Sequence, residues 1–225
     1  MIRHGQTPGN ALKRYIGRTD EPLSEAGQAQ AGLLASKAPG VRLQRTGEKC
    51  LLVVSPMLRC VQTAALMLGD HFSQAEPAGQ ILGRLREAHR LLDIRICEDL
   101  RECDFGTFEG KNYKELSGDP LYQQWIDSGG TLPFPEGEDP PGFRERCCSA
   151  FSRIIKENTN GTAYLCMVAH GGTIMSLMER WGRDEAGEKH EYYQWHTRNG
   201  CGLRVRLTLK ENGLPDVMDV LERIE

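Results

Sequence analysis

At 225 residues, with 39% hydrophobic and 26% charged, the chain carries enough apolar material for one sizeable core, at a length common for a single α/β domain. A formal net charge of −3 argues against a general binder of nucleic acid or anionic membrane. No apolar run approaches the roughly 20 residues that span a bilayer, and no signal-peptide pattern opens the sequence.

In chain order, only Met1 and Ile2 precede the pair Arg3-His4, whereas a strand usually runs about five or six residues. The expectation is either an unusually short first strand or a natural start a few residues upstream. Residues 10–23 are polar and irregular. Ser24 is suited to cap a helix over Glu25–Lys37, which Pro39-Gly40 would end. Cys50–Val54 is a continuous apolar run, the mark of a strand buried on both faces. Ser55-Pro56 ends it and opens a helix with Pro near its first turn, whose inward stripe is Met57, Val61, Ala64, Ala65 and Leu68.

Spacing over Gln80–Leu92 predicts a helix and Ile94–Cys97 a short strand, with residues 70–95 expected to add a cap. Residues 111–142 read as a lid holding a short helix over Pro120–Asp127. Within it Pro133–Pro141 is rich in glutamate and a poor seat for a very acidic substrate. A helix over Phe143–Glu157 should end at the Asn160-Gly161 turn, a reading that outweighs the formal glycosylation sequon Asn160-Gly161-Thr162. Ala163–Ala169 is the second buried strand, followed by a helix over Thr173–Trp181. Gly202–Leu209 and Pro215–Leu221 form a hairpin about Asn212-Gly213. Strands alternating with helices indicate a three-layer α/β/α sandwich with a mostly parallel central sheet, one domain over 1–225. The eight cysteines show no Cys-x-x-Cys pairing and read as reduced thiols in a cytoplasmic protein, with no disulfide framework and no metal expected.

Three strand ends carry polar residues: Arg3-His4-Gly5, Ser55 to Arg59, and His170-Gly171-Gly172. If those strands are parallel neighbours, two histidines and two arginines share one pocket at the sheet edge, where open α/β sheets bind ligands. Guanidinium forks and backbone N–H groups suit a phosphoryl group, and a neutral imidazole is a credible nucleophile toward phosphorus. Each feature has a plainer reading. Arg-His pairs are usually surface residues, Arg59 could be half of an exposed ion pair, and His170 could be a satisfied core histidine. His71, His89, His190 and His196 read as surface or structural. Glu102 competes as proton donor with Glu98, Asp99, Asp104 and Glu109 on composition alone.

Four blocks occur in order over residues 2–172: Arg3-His4-Gly5-Gln6-Thr7…Asn10; Ser55-Pro56-x-x-Arg59-x-x-Gln62-Thr63-Ala64; Leu100-Arg101-Glu102-Cys103-Asp104-Phe105-Gly106-x-Phe108-Glu109-Gly110; and Val168-Ala169-His170-Gly171-Gly172. Together, with Asn199 before the final hairpin, they resemble the histidine phosphatase (phosphoglycerate mutase-like) superfamily. The resemblance implies that His4 accepts the phosphoryl group. It implies that Arg3, Arg59 and His170 clamp that group, with Gln6, Asn10 and Gly171 beside it, and that Glu102 protonates the leaving oxygen. Glu109 reads as a structural partner of its loop. No cofactor is implied, and the partner is a small phosphorylated metabolite. His-Gly-Gly-Thr and the Pro135-Glu136-Gly137-Glu138 turn look like the phosphatase branch, which includes α-ribazole phosphatase. The mutase branch typically carries an Asn-Ser pair after the second His-Gly. A cofactor-dependent mutase and a non-catalytic phospho-ligand binder are the alternatives.

Overall fold

The computed structural model describes residues 1–37, 50–158, 162 and 164–225. Its seven strands form one sheet in the order β3-β2-β4-β1-β6-β7-β5. The strands are β1 (Ile2–Arg3), β2 (Cys50–Val54), β3 (Leu92–Ile96), β4 (Tyr164–Ala169), β5 (Gly182–Arg183), β6 (Gly202–Leu209) and β7 (Pro215–Ile224). β3, β2, β4 and β1 run parallel, and β6 and β7 form the antiparallel hairpin.

Helices cover both faces, as the alternation of elements requires. On one side lie α2 (Glu25–Lys37), α3 (Leu58–Met67) and α4 (Ala78–Ala88), which bury Leu34, Val61, Ile81 and Leu85 against Leu52 and Val54. On the other lie α6 (Pro140–Asn158) and α7 (Gly171–Trp181), which bury Phe151, Ile155, Ile174 and Leu177 against Leu51 and Val53. Alternate residues of β2 thus feed opposite cores, which explains why that strand is apolar throughout. A third cluster, with Phe108, Leu116, Trp125, Phe134 and Phe143, lies beneath residues 111–142 and packs against α5 (Pro120–Asp127). A four-residue helix, α1 (Pro8–Ala11), follows the first strand. Among the described residues, no helix is long and apolar enough to cross a membrane.

The first strand is indeed short, at two residues. Ser24 caps α2 as expected, its Oγ accepting the Gly27 N–H at 3.1 Å. The Pro39-Gly40 stop, the Asn160-Gly161 turn and Ala163 lie outside the described residues.

Several boundaries differ from expectation. The helix expected over Gln80–Leu92 stops at Ala88, because Leu92 to Ile96 pair residue by residue with Cys50 to Val54 as β3. Residues 70–95 therefore supply a layer helix and the edge strand. The helix expected from Phe143 begins at Pro140: Asp139 Oδ2 accepts the Gly142 N–H at 2.8 Å, and two prolines fill positions that need no donor. Met57, rather than Pro56, stands just ahead of α3. The short strand β5, paired with Met218 and Asp219 of β7, carries no sequence signal.

Register places the chemistry. Ile2 pairs with Val168, and Val168 pairs with Val54. The residues that follow these three leave the sheet side by side at one edge.

Candidate active site

His4 follows β1 and is buried at 3% exposure, with its N–H bonded to Ala169 O at 3.0 Å. Its Nδ1 lies 2.7 Å from Gly5 O. A carbonyl can only accept, so Nδ1 carries the proton and Nε2 keeps its lone pair. Burial, reinforced by the charges of Arg59 and Arg3, holds this imidazole well below the usual 6.5. His4 is therefore neutral and fixed in one tautomer.

His170 follows β4 and is fully buried, its ring centroid 5.2 Å from that of His4. Burial first, and Arg59 next, keep it neutral as well. Its Nε2 lies 2.8 Å from Ser55 Oγ and 3.6 Å from Cys60 Sγ. That edge of the ring is thus held from behind by the residue following β2 and by the first turn of α3. Sequence reasoning placed Ser55 at the strand end but gave it no role, and Cys60 carried no signal beyond its apolar neighbours. Burial pushes the Cys60 thiol up to about 12, so it is a neutral packing group.

The two arginines bring charge. Arg59 is fully buried; its Nη1 and Nη2 donate to Thr19 O at 2.8 Å and Gly17 O at 2.9 Å. The same loop is fixed by Glu109, whose Oε1 accepts the N–H groups of Gly17 and Thr19 at 2.8 and 2.9 Å. Glu109 is thus a structural partner of that loop, as expected of it. Arg3 donates from Nη1 to Thr197 O at 2.7 Å and meets His196 Nε2 at 3.3 Å. His196 thus belongs to the rim of the site, a position the sequence did not signal. Nε of both arginines is buried with no protein acceptor. Buried donors on charged groups are costly to leave unpaired, so these two N–H groups favour an anion.

Glu102 sits after a 3-10 turn (Glu98–Leu100) and reaches the N-terminus of α7. Its Oε2 accepts the Gly172 N–H at 3.1 Å, and its Oε1 accepts the Cys103 N–H at 3.0 Å. Burial raises its carboxyl above the usual 4.5, against the opposing pull of those N–H groups and of Arg3 and Arg59. A carboxyl so raised is suited to carry a proton. Its loop is anchored by Arg146, which pairs with Glu138 at 2.7 Å and donates to Asp99 O and Arg101 O at 2.9 and 3.1 Å. Glu138 in turn accepts the Asp104 N–H at 3.0 Å. Within the acidic stretch Pro133–Pro141, Glu138 is thus paired with Arg146, and Asp139 caps α6.

The remaining expected residues occupy the same edge. Asn10 forms a capping box with Thr7, and its Oδ1 also accepts from Asn199 Nδ2 at 3.1 Å. Asn199 Nδ2 also donates to His4 O at 3.1 Å. The Gln6 N–H donates to Gln30 Oε1 at 2.9 Å. Gly171 opens α7, and a Cβ there would stand 3.2 Å from Arg3 Cζ, so glycine lets the guanidinium lie against the helix start. Thr63 joins two blocks, accepting the Gly5 N–H at 3.0 Å and donating to Arg59 O at 2.7 Å. A cleft of about 770 Å³ opens outward from Arg3, Gln6 and Asn10. One trio of potential metal ligands occurs among the described residues, Asp184, Glu188 and His190 in the loop after β5, and it contains none of these side chains.

Known proteins resemble this chain over most of its length. The 2,3-bisphosphoglycerate-dependent phosphoglycerate mutase of Chlamydia pneumoniae is 25% identical over 217 residues, 87% of this chain and 92% of that protein. A broad-specificity phosphatase of Saccharomyces cerevisiae is 26% identical over 201 residues, 88% of this chain and 75% of that one. The crystal structure of the alpha-ribazole phosphatase from Shigella flexneri shares the fold, with a TM-score of 0.67 at 21% identity over 96% of this chain and 93% of that one. A family model described as the histidine phosphatase superfamily (branch 1) matches residues 1–90 and 71–214. With the paired histidines, the arginines and the carboxyl gathered at one sheet edge, the chain belongs to branch 1 of the histidine phosphatase superfamily.

Proposed function

We propose that this chain is a phosphomonoester hydrolase that passes the phosphoryl group through His4 and needs no metal. The observation that carries the reading is the tautomer of His4: Nδ1–H is committed to Gly5 O at 2.7 Å, which leaves Nε2 as the free nucleophile in a buried, cationic setting. In the first step Nε2 attacks phosphorus, the P–O bond to the alcohol breaks, and the Glu102 carboxyl protonates the departing oxygen. In the second, a water attacks the phosphohistidine, its proton passes to the Glu102 carboxylate, and phosphate leaves with His4 neutral again. Arg3 and Arg59 offset the charge of the transferring group throughout, with His170 facing the same centre. Gln6, Asn10 and Gly171 shape the wall beside it.

The test is a rapid quench with a labelled phosphomonoester. An acid-labile, base-stable phosphoenzyme that vanishes in His4→Gln is expected. Unchanged turnover in His4→Gln overturns the reading. A mutase would give the same phosphoenzyme, so the products decide between them: inorganic phosphate for the hydrolase, a transferred phosphoryl group when a second alcohol is supplied for the mutase.

A further inference from the structure

Arg59 commits both terminal nitrogens of its guanidinium to the protein, Nη1 to Thr19 O at 2.8 Å and Nη2 to Gly17 O at 2.9 Å, and only Nε is left buried without an acceptor. After burial, it is the charge that weighs most on both His4 and His170. A guanidinium is planar and its donors point in a fixed fork. The direction of the Arg59 Nε–H is therefore set by where the carbonyls of Gly17 and Thr19 lie. The main chain at this helix start is fixed by the same loop. Met57, ahead of α3, offers no capping side chain, and Asp20 Oδ1 accepts the Leu58 N–H at 2.7 Å instead.

Residues 16–20 lie between α1 and α2 in neither helix nor strand, so no ladder of main-chain bonds holds the two carbonyls in place. Glu109 supplies the hold. Its Oε1 accepts the N–H groups of the same two residues, at 2.8 Å from Gly17 and 2.9 Å from Thr19. Hydrogen bonds to a carboxylate are roughly twice as strong as neutral ones, and here two converge on one oxygen. The carboxylate itself has a packed support: Glu109 directly follows the 3-10 turn Gly106–Phe108, and Phe108 is buried in the aromatic cluster. A Cβ on Gly17 would stand 1.8 Å from Cys103 O, so the loop also rests directly on the chain that follows Glu102.

We propose that Glu109 is a positioning residue for the phosphoryl site: through Gly17 and Thr19 it holds Arg59 so that Nε–H faces the transferring group. Glu109 then controls affinity for the phosphoryl group itself and not protonation of the leaving oxygen. The proposal rests on the phosphatase reading for the place of that group, and its test separates the two.

Inorganic phosphate is the probe, its Kd measured by calorimetry on the full chain. Glu109→Ala should weaken binding about tenfold, the scale of one charge-assisted hydrogen bond. Glu109→Gln, which keeps the reach and an acceptor oxygen, should weaken it by about threefold or less. Arg59→Lys keeps the charge and loses the fork. Adding Glu109→Ala to it should weaken binding by less than about twofold more, because the group through which Glu109 acts is gone. Hydrolysis of an alkyl and an aryl phosphate should slow by the same factor in Glu109→Ala, since Arg59 meets the phosphoryl group common to both. Thermal midpoints establish that the variants fold, and Glu109→Asp, one methylene shorter, replaces Glu109→Ala where that variant does not. Unchanged phosphate affinity, full additivity with Arg59→Lys, or a loss confined to the alkyl ester, which traces to the neighbouring Glu102, overturns the proposal. Phosphate binding that follows Glu109 while no ester is hydrolysed leaves the positioning role standing and removes the hydrolase. Hydrolysis with phosphate binding indifferent to Glu109 does the reverse.

Discussion

A single methyl group at position 172 separates the placement of Glu102 from its mere presence. The Gly172 N–H donates to Glu102 Oε2 at 3.1 Å, and a Cβ on Gly172 would stand 2.3 Å from Oε1 and 3.0 Å from the Phe143 ring. Phe143 is locked into the cluster beneath the lid, so the carboxyl is the group that yields. Ordinary contact begins near 3.4 Å, which requires a retreat of about 1 Å. That retreat breaks the hydrogen bond from the Gly172 N–H and moves the proton donor off its target. Displacements of this size cost on the order of 10²-fold in rate, within the roughly 10²- to 10⁴-fold that general acid catalysis supplies.

The loss should depend on how much the leaving oxygen needs a proton. An alkyl phosphate releases a strongly basic alkoxide, whereas p-nitrophenyl phosphate releases a stabilised phenolate. Gly172→Ala should therefore slow phosphorylation of His4 by about 100-fold with the alkyl ester and by less than about fivefold with the aryl ester. Glu102→Gln should show the same selectivity with a larger amplitude. Breakdown of the phosphohistidine should slow for both esters, so phosphoenzyme accumulates with the aryl one. Burst kinetics on the two esters give the answer directly. Equal losses on both, wild-type behaviour in Gly172→Ala, or the selective pattern in Glu109→Gln would refute the assignment of Glu102.

Three further outcomes follow from the site. Ser55→Ala removes the partner held 2.8 Å from His170 Nε2, and loss of one uncharged hydrogen bond of about 1 kcal/mol should lower kcat/KM roughly fivefold, with Ser55→Thr restoring part of it. Stability should fall as pH drops below 6.5: His4 and His170 sit well below that value when folded, so the unfolded chain takes up protons first. The cost is about 1.4 kcal/mol per histidine per pH unit until the folded values are reached, and a His4→Gln, His170→Gln pair should flatten the fall of the urea midpoint between neutral pH and about 5.5. Glu102 titrates in the opposite sense, its contribution to stability declining as pH rises from 4.5 through its raised folded value. Activity should also survive EDTA and be inhibited by vanadate; loss on chelation restored by Mg²⁺ or Zn²⁺ would exclude a mechanism carried by arginine and imidazole alone.

How far the fold was legible depends on how local its causes are. Cys50–Val54 and Glu25–Lys37 stand at the expected boundaries because an apolar run and a Ser cap settle them within a few residues. Leu92 misled because two patterns overlap there. It continues the helical spacing of Ile81, Leu82 and Leu85, but it also starts an alternation with Ile94 that Cys50 to Val54 convert into a strand. The strand Gly182–Arg183 exists only because β7 runs beside it, a fact no window of sequence contains.

The candidate site divides along the same line. His4, Ser55 and His170 were legible as a group because parallel neighbouring strands bring their ends together, and the register of Ile2, Val168 and Val54 makes that convergence a matter of topology. Arg59 comes with them, in the first turn of the helix that Ser55 precedes. What was not legible is the set of groups that aim these side chains. The Gly5 carbonyl sets the tautomer of His4, the Gly172 N–H draws Glu102 over the start of α7, and Arg146 ties Glu138 to the loop bearing Glu102. Backbone carbonyls and N–H groups are present at every position, so sequence cannot flag the few that matter. The acidic stretch Pro133–Pro141 shows the consequence for function. Composition marks it as acidic, but only folding shows that Arg146 pairs with Glu138 and that Asp139 is engaged in the cap on α6. Which charges face a substrate is therefore decided by the pairings made on folding, and a count of charges in the sequence does not contain them.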